Sequence, residues 1–94
     1  MVENLPYKES KVIDNGVEKF IRVFKETLHD QELTWHWDVE DRVISPVHVT
    51  DWRFQFDNEL PKKLEGEIKI PEGVWHRLIK GSGDLKLMIQ KIKK

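Results

Sequence analysis

The dipeptide Asn15-Gly16 restricts the fold of this chain strongly. An Asn-Gly pair favours a two-residue hairpin turn because both of its positions accept the positive φ that such a turn requires. It predicts a hairpin whose arms are residues 11–14 and 17–24. A helix over residues 17–28 is the alternative, since apolar side chains recur there at helical spacing, namely Val17, Phe20, Ile21, Phe24 and Leu28. The hairpin signal favours strands.

Turn signals recur along the rest of the chain. They are Thr50-Asp51, residues 57–61, Glu65-Gly66, Glu72-Gly73 and Gly81-Ser82-Gly83. Such spacing is typical of an all-β domain of short strands. The predicted strands are residues 11–14, 17–24, 32–38, 42–49, 52–57, 66–70, 76–79 and 85–92, with Pro46 marking an edge or a bulge. About eight strands predict a closed barrel or a jelly roll.

The amino-acid composition supports this fold class. Nine Val and eight Ile stand against eight Leu, and Ala is absent. β-branched residues pack well in pleated sheets and lose rotamer freedom in helices. A chain of 94 residues has room for one core. We therefore expect a single domain over residues 1–94, frayed at residues 1–10 and 91–94.

Charge, apolar patterning and cysteine content exclude several classes of function. The formal net charge is -1, which gives no long-range attraction to nucleic acid or to an anionic membrane. No apolar run is long enough to span a bilayer, and the N-terminus lacks the order of a signal peptide. We expect a cytoplasmic protein. Because the chain has no Cys, any metal must be held by His and carboxylate side chains.

The segment WHWDVEDR, residues 35–42, carries most of the candidate chemistry. Strand alternation places His36, Asp38, Glu40 and Arg42 on one face, and the Trp and Val side chains on the other. If the polar face points outward, it is an ordinary solvated surface. If it points into the barrel, His36 and Asp38 stand together as neighbouring ligands.

A second segment favours the inward orientation. Residues 70–78 read IPEGVWHRL and resemble the second sequence motif of the cupin superfamily, P-x-G-x-x-H. The resemblance runs from about residue 33 to residue 92, and it is loose at the first motif. The general impression is of a small single-domain cupin-like protein of bacterial or phage type. The resemblance implies a cupin-type β-barrel, also described as a double-stranded β-helix or jelly roll.

The resemblance also implies a metal site, of which three of the family's four ligand positions are filled here by residues that can bind a metal. The first cupin motif supplies H-x-H and a Glu, and the second motif supplies a further His. Here His36 and His76 take the first and last places, Asp38 stands at the second His, and Arg42 stands at the Glu. Two His and one carboxylate suit a divalent metal such as Fe, Mn, Ni or Zn.

Two interpretations of a buried Asp38 remain open. A metal ion satisfies its charge in the first, and a salt bridge to Arg42 replaces the metal in the second. Glu40, Arg42, His48, Arg53 and Gln55 are the candidates for lining the pocket, although a surface role is favoured for His48. His29 is interpreted as a surface residue.

The leading functional hypothesis is therefore a small cupin that binds a divalent metal and a small polar or anionic ligand, with no reaction assigned. The alternative is a metal-free cupin module that binds a small molecule or a partner protein. The sequence does not decide whether the protein is an enzyme. Trp35, Trp37 and Trp75 on an outer wall would form an apolar patch, which predicts a homodimer.

Overall fold

A computed structural model describes residues 7–28 and 33–92. Every element in these residues is a strand, and the all-β prediction is confirmed. The strands are β1 (Lys8–Asp14), β2 (Val17–Phe24), β3 (Asp41–Pro46), β4 (Arg53–Phe56), β5 (Lys62–Lys63), β6 (Ile68–Ile70), β7 (His76–Ile79) and β8 (Leu85–Ile92). None of the described residues belongs to a helix that could cross a membrane.

The strands form two antiparallel sheets, the arrangement of a jelly roll. The larger sheet has the order β1-β2-β8-β3-β6, and the smaller has the order β5-β4-β7. Between them lies a core of buried apolar side chains: Phe24, Ile44, Trp52, Phe54, Leu64, Ile68, Ile70, Leu85, Leu87 and Ile89. Because inward positions alternate along each strand, polar side chains that share the inward phase also enter the space between the sheets.

The β1–β2 hairpin resolves the helix alternative in favour of strands. Asp14 pairs with Val17, which leaves a loop of Asn15 and Gly16 with φ values of 52° and 78°. Positive φ at both positions is the signature of a type I′ turn. Of the residues at helical spacing, Phe24 is in the core and Phe20 and Leu28 pack against it, whereas Val17 is exposed and Ile21 has the opposite strand phase.

Several predicted boundaries need correction. Residues 8–10 and 91–92 were expected to be frayed, but they form part of β1 and β8. β3 ends at Pro46 rather than at residue 49, although the Val47 N–H still donates to the Lys86 carbonyl at 3.0 Å. The two-residue β5 has no counterpart in the predicted strands.

The predicted strand over residues 32–38 is wrong for residues 33–38, and residue 32 lies outside the described part of the chain. His36 alone forms a bridge, to His76. Its N–H donates to the His76 carbonyl at 3.0 Å and its carbonyl accepts from the His76 N–H at 2.9 Å. The Asp38 carbonyl instead accepts from Gly73 N–H at 2.9 Å. The backbone bonds of this segment therefore go to separate positions and build no ladder.

Candidate metal centre

A pocket of about 300 Å³ opens between the two sheets. Its apolar lining comes mainly from both sheets, and its polar lining is concentrated in a few side chains. The lining residues are Tyr7, Arg22, Phe24, Leu33, Thr34, His36, Asp38, Arg42, Ile44, Phe54, Ile70, His76, Leu78, Leu87 and Ile89. Its volume lies at the low end for small-molecule sites.

His76, the first residue of β7, is buried in this pocket with 4% of its surface exposed. Its ring stacks on Phe54 with the centroids 5.6 Å apart. Its Nδ1 lies 2.7 Å from the carbonyl oxygen of Val74. A carbonyl can only accept, so Nδ1 carries a proton, and in the neutral form of the ring Nε2 is the unprotonated nitrogen. That Nε2 lies 3.2 Å from Oδ2 of Asp38.

His36 repeats the same arrangement beside it. Its Nδ1 lies 3.1 Å from the carbonyl oxygen of Thr34, so its Nε2 is again the free atom of the neutral ring. The two imidazole centroids are 4.3 Å apart in an edge-on contact. Unlike His76, His36 is exposed. It therefore lies at the mouth of the pocket, whereas the sequence predicts a position inside the barrel.

Asp38 is the third member of the cluster, and only 8% of it is exposed. Its Oδ1 lies 3.2 Å from Nη1 of Arg42. Among the described residues, its Oδ2 is buried and has no hydrogen bond. The nearby Nε2 of His76 can donate to it only when the ring carries a proton on both nitrogens. When the His76 ring is neutral, two electron-rich atoms face each other, and such a contact is costly unless a proton or a metal ion lies between them.

His36, Asp38 and His76 each offer one ligand atom, and these atoms lie within 4.8 Å of one another. Ligands about 2.1 Å from a shared ion are at most about 4.2 Å apart, so a slight closure of the side chains completes the set. Metal-bound His residues commonly donate the other ring N–H to a carbonyl, as both do here. The residues present therefore fit a divalent metal.

The pKa shifts at the cluster favour the ligand forms of these side chains. Although His36 is exposed at the pocket mouth, partial desolvation of its ring lowers its pKa, and the neighbouring His76 lowers it further, whereas the hydrogen bond to Thr34 opposes this shift. Burial raises the pKa of Asp38, but His76 and Arg42 outweigh it and leave that pKa below its ordinary value. Near neutral pH, His36 is therefore neutral and Asp38 is ionised, as metal ligands must be.

Arg42 contacts Asp38 and is itself held by Glu40. Nε of Arg42 donates to Oε2 of Glu40 at 3.0 Å, and the Arg42 side chain is 13% exposed. Arg42 lines the pocket as predicted, but Glu40 is not among the lining residues and reaches the pocket only through Arg42. Arg42 thus holds Asp38 in position and leaves Oδ2 free.

Three other predicted pocket residues lie elsewhere. His48 is exposed, and its Nδ1 contacts the carbonyl oxygen of Val49. Arg53 is exposed because it alternates with the buried Trp52 and Phe54. Gln55 shares that outward phase and bonds to Arg77 and to the Glu59 carbonyl. His29 lies outside the described residues.

Sequence reasoning missed Tyr7, Arg22, Leu33 and Thr34, which line the pocket. Arg22 could have been found, because it lies between Phe20 and Phe24 at period two on β2, whose Phe24 is buried. The alternation of side chains along the second strand of the predicted hairpin thus already places Arg22 on the same face as the buried Phe24. Tyr7 and Thr34 carry no comparable signal in the sequence.

Solved structures share this architecture. A cupin domain from Bordetella pertussis has a TM-score of 0.66 and 20% identity over 100% of both chains. A Neisseria meningitidis protein has a TM-score of 0.58 and 16% identity, covering 92% of this chain and 84% of that one. The Fe(II) form of HppE has a TM-score of 0.60 and 12% identity, covering 98% of this chain and 60% of HppE.

These likenesses concern the fold. No protein-family model and no curated protein sequence matches the chain. The protein is therefore cupin-like, with the two-sheet jelly roll that the resemblance of residues 70–78 implied. Its pocket brings together a His-Asp-His group that is compatible with a metal-binding cupin.

Proposed function

We propose that this protein binds one divalent transition-metal ion, Fe(II), Mn(II), Ni(II) or Zn(II), through His36, Asp38 and His76, and that a small polar or anionic ligand enters the same pocket. The observation that carries the proposal is the buried, unbonded Oδ2 of Asp38 beside Nε2 of His76. A carboxylate oxygen and two imidazoles form a donor set that suits these ions. The Fe(II) bound by HppE, a protein of the same fold, is consistent with this assignment.

The residues around such a metal site would have different roles. Thr34 and Val74 fix the tautomers of His36 and His76 through their carbonyl groups. Arg42 holds Asp38 by Oδ1. The buried side chains between the sheets exclude water from one side of the cluster. When bound, a divalent ion supplies Lewis acidity to an oxygen of the ligand.

Metal titration of the metal-free protein tests the proposal directly. We expect one ion per chain by calorimetry and elemental analysis. Loss of an outer-shell partner typically costs about 10- to 100-fold in affinity, so the loss of a ligand in His76→Ala should cost more. His48→Ala is the matched control, because this exposed His lies outside the pocket. Equal affinity of the two variants would refute the assignment.

The contact between Asp38 and Arg42 supports a second candidate, a metal-free pocket that binds a small molecule or a partner protein. In this case the guanidinium alone balances the buried carboxylate. The wild-type protein would then show no change in melting temperature with any of the four ions, whereas a bound metal raises it by mass action. Reversal of that rise by EDTA would exclude the second candidate.

A further inference from the structure

A second cationic side chain enters the pocket from the far side. Arg22 lies on β2, its side chain is 13% exposed, and it lines the same pocket as the His-Asp-His group. Its guanidinium carbon lies 4.2 Å from the centroid of the Tyr7 ring. Its Nε donates to Oε1 of Glu9. Tyr7 and Glu9 therefore fix the plane of the guanidinium at one end of the pocket.

Arg22 and Arg42 differ in how many of their guanidinium nitrogens already contact a carboxylate. Arg42 uses Nε for Glu40 and Nη1 for Asp38. Among the described residues, Arg22 contacts Glu9 through Nε, and its two terminal nitrogens have no hydrogen-bond partner. They are not among the buried unbonded atoms of those residues, so they are accessible. Two adjacent N–H groups in one plane match a carboxylate bidentately.

The sheet topology separates Arg22 from Arg42, the residue of β3 whose guanidinium contacts Asp38. In the larger sheet, β8 lies between β2 and β3. Neighbouring strands are about 4.8 Å apart, so β2 and β3 are separated by roughly 10 Å. Leu87 and Ile89 of β8 are buried and line the pocket between them. The pocket is thus polar at both ends and apolar in the middle.

The summed charge of the side chains at the pocket indicates which net charge a bound ligand should carry. The guanidinium groups of Arg22 and Arg42 are paired with the carboxylates of Glu9, Asp38 and Glu40. These groups leave one net negative charge while both His are neutral. A divalent ion at the His-Asp-His group reverses this to one net positive charge. A monoanion then neutralises the site.

We infer that Arg22 is the anion-binding residue of the pocket, and that the ligand is a small monocarboxylate with an apolar middle and an oxygen donor at its other end. The carboxylate pairs with the terminal nitrogens of Arg22. The oxygen donor faces His36, Asp38 and His76, and both this second contact and the choice of a monoanion rest on the proposed function. Arg22 therefore determines specificity for acids over neutral analogues.

Calorimetry with a graded series of hydroxycarboxylates, from glycolate to 6-hydroxyhexanoate, tests the inference. Each acid is compared with its hydroxyamide, on metal-free and on Co(II)-loaded protein. We expect at least one acid to bind more tightly than its amide. Arg22→Ala should lose about 10- to 100-fold in affinity for that acid, since hydrogen bonds to charged groups are the strong ones. Arg22→Lys should recover part of it.

Controls separate a local effect from a loss of fold. Arg53→Ala removes an exposed Arg outside the pocket and should bind the acid like the wild type. Arg22→Gln keeps most of the side-chain volume, and circular dichroism establishes that each variant is folded. If Arg22→Ala is unfolded, Arg22→Gln provides the decisive affinity. Equal affinity of the wild type and a folded Arg22 variant would overturn the inference, as would binding of no acid by the wild type.

The same titrations distinguish failure of the inference from failure of the proposed function. The visible absorption of Co(II) reports metal binding independently of any acid. Arg22-dependent acid binding without a Co(II) spectrum would support Arg22 and refute the metal centre. A Co(II) spectrum with acid affinity unchanged in the Arg22 variants would support the metal centre and refute the role of Arg22.

Discussion

Nη1 of Arg42 lies 3.2 Å from Oδ1 of Asp38, and Oδ2 of the same carboxylate is left facing His76. From the sequence, a metal ion and a salt bridge to Arg42 are competing ways to satisfy a buried Asp38. The structure makes them compatible, because they use different oxygens. The ion pair then positions the carboxylate and orients its second oxygen.

Removing Arg42 should destabilise the metal-free protein. Breaking one partner of a buried ion pair costs about 3–5 kcal/mol, because the remaining charge is left unpaired. We expect Arg42→Leu to lower the free energy of unfolding by about 3 kcal/mol, and Asp38→Leu/Arg42→Leu to lower it less. Urea unfolding of the wild type, both single variants and the double variant measures the coupling. Additive effects would show that the contact contributes nothing.

Stability should fall with acid in two separate windows. The pKa values of His36 and Asp38 are both lowered in the folded protein, so the unfolded chain binds more protons in each window and stability rises with pH. The stabilising contributions are fully present above the unfolded values, about 6.5 for His and 3.9 for Asp, and are lost as pH falls through the folded values.

Urea midpoints between pH 2 and pH 8, measured on metal-free protein, test both windows. His36→Gln should reduce the fall of the urea midpoint below about pH 6.5, and Asp38→Asn should reduce its fall below about pH 3.9. His48→Gln provides the control for histidine content, because His48 is exposed and outside the pocket. A profile of His36→Gln that follows the wild type would contradict the first assignment.

Local sequence signals predicted the first hairpin and several of the strands well. Asn15-Gly16 placed the first hairpin, and residues 76–79 and 85–92 have the predicted strand boundaries. The segment around His36 was predicted as a strand because alternation does not reveal where backbone partners end. Asp38 and Arg42 nevertheless line the pocket, whereas Glu40 does not, and the chain bends at residues 39 and 40 between them.

The errors at the site have a common physical cause. The exposed position of His48 agrees with the surface role that the sequence favours. Arg53 and Gln55 are candidates for the pocket from the sequence, but which face of a strand lines the pocket depends on which sheet face is covered. Trp52 and Phe54 are buried, and this fixes Arg53 and Gln55 on the opposite face. Tyr7 and Thr34 reach the pocket through tertiary packing, which no local pattern encodes.

Truncating the core should be far more damaging than truncating the surface. Leu85 is completely buried, and Val49 is 99% exposed. Leu85→Ala removes buried apolar contacts and leaves a cavity, which typically costs about 2–5 kcal/mol. Val49→Ala should change the free energy of unfolding by less than about 0.5 kcal/mol. Chemical denaturation measures both, and similar losses in the two variants would contradict the arrangement of the core.

We propose that the exposed Trp residues mediate a homodimer, as the sequence predicts. Trp35, Trp37 and Trp75 are 39%, 49% and 46% exposed. The antiparallel bridge between His36 and His76 brings the backbones of Trp37 and Trp75 close together. Large exposed aromatic groups are common anchors of interfaces.

Light scattering at micromolar concentration tests the dimer. We expect a mass of twice 11.3 kDa for the wild type and of the monomer for Trp37→Ser. Leu60→Ser is the control, because Leu60 is also exposed, at 85%, but is remote in sequence from the Trp residues. A wild-type mass of one chain would exclude the dimer.

The bridge between His36 and His76 also bears on how quickly a bound ion could leave. Two of the three candidate ligands, His36 and Asp38, lie on a segment outside any strand, held by the bridge and by the bond from Gly73. Segments with few consecutive backbone bonds open far more often than the whole domain unfolds. The lifetime of the metal would then follow this local opening, and amide hydrogen exchange at His36 should slow on metal binding while exchange in β8 changes little.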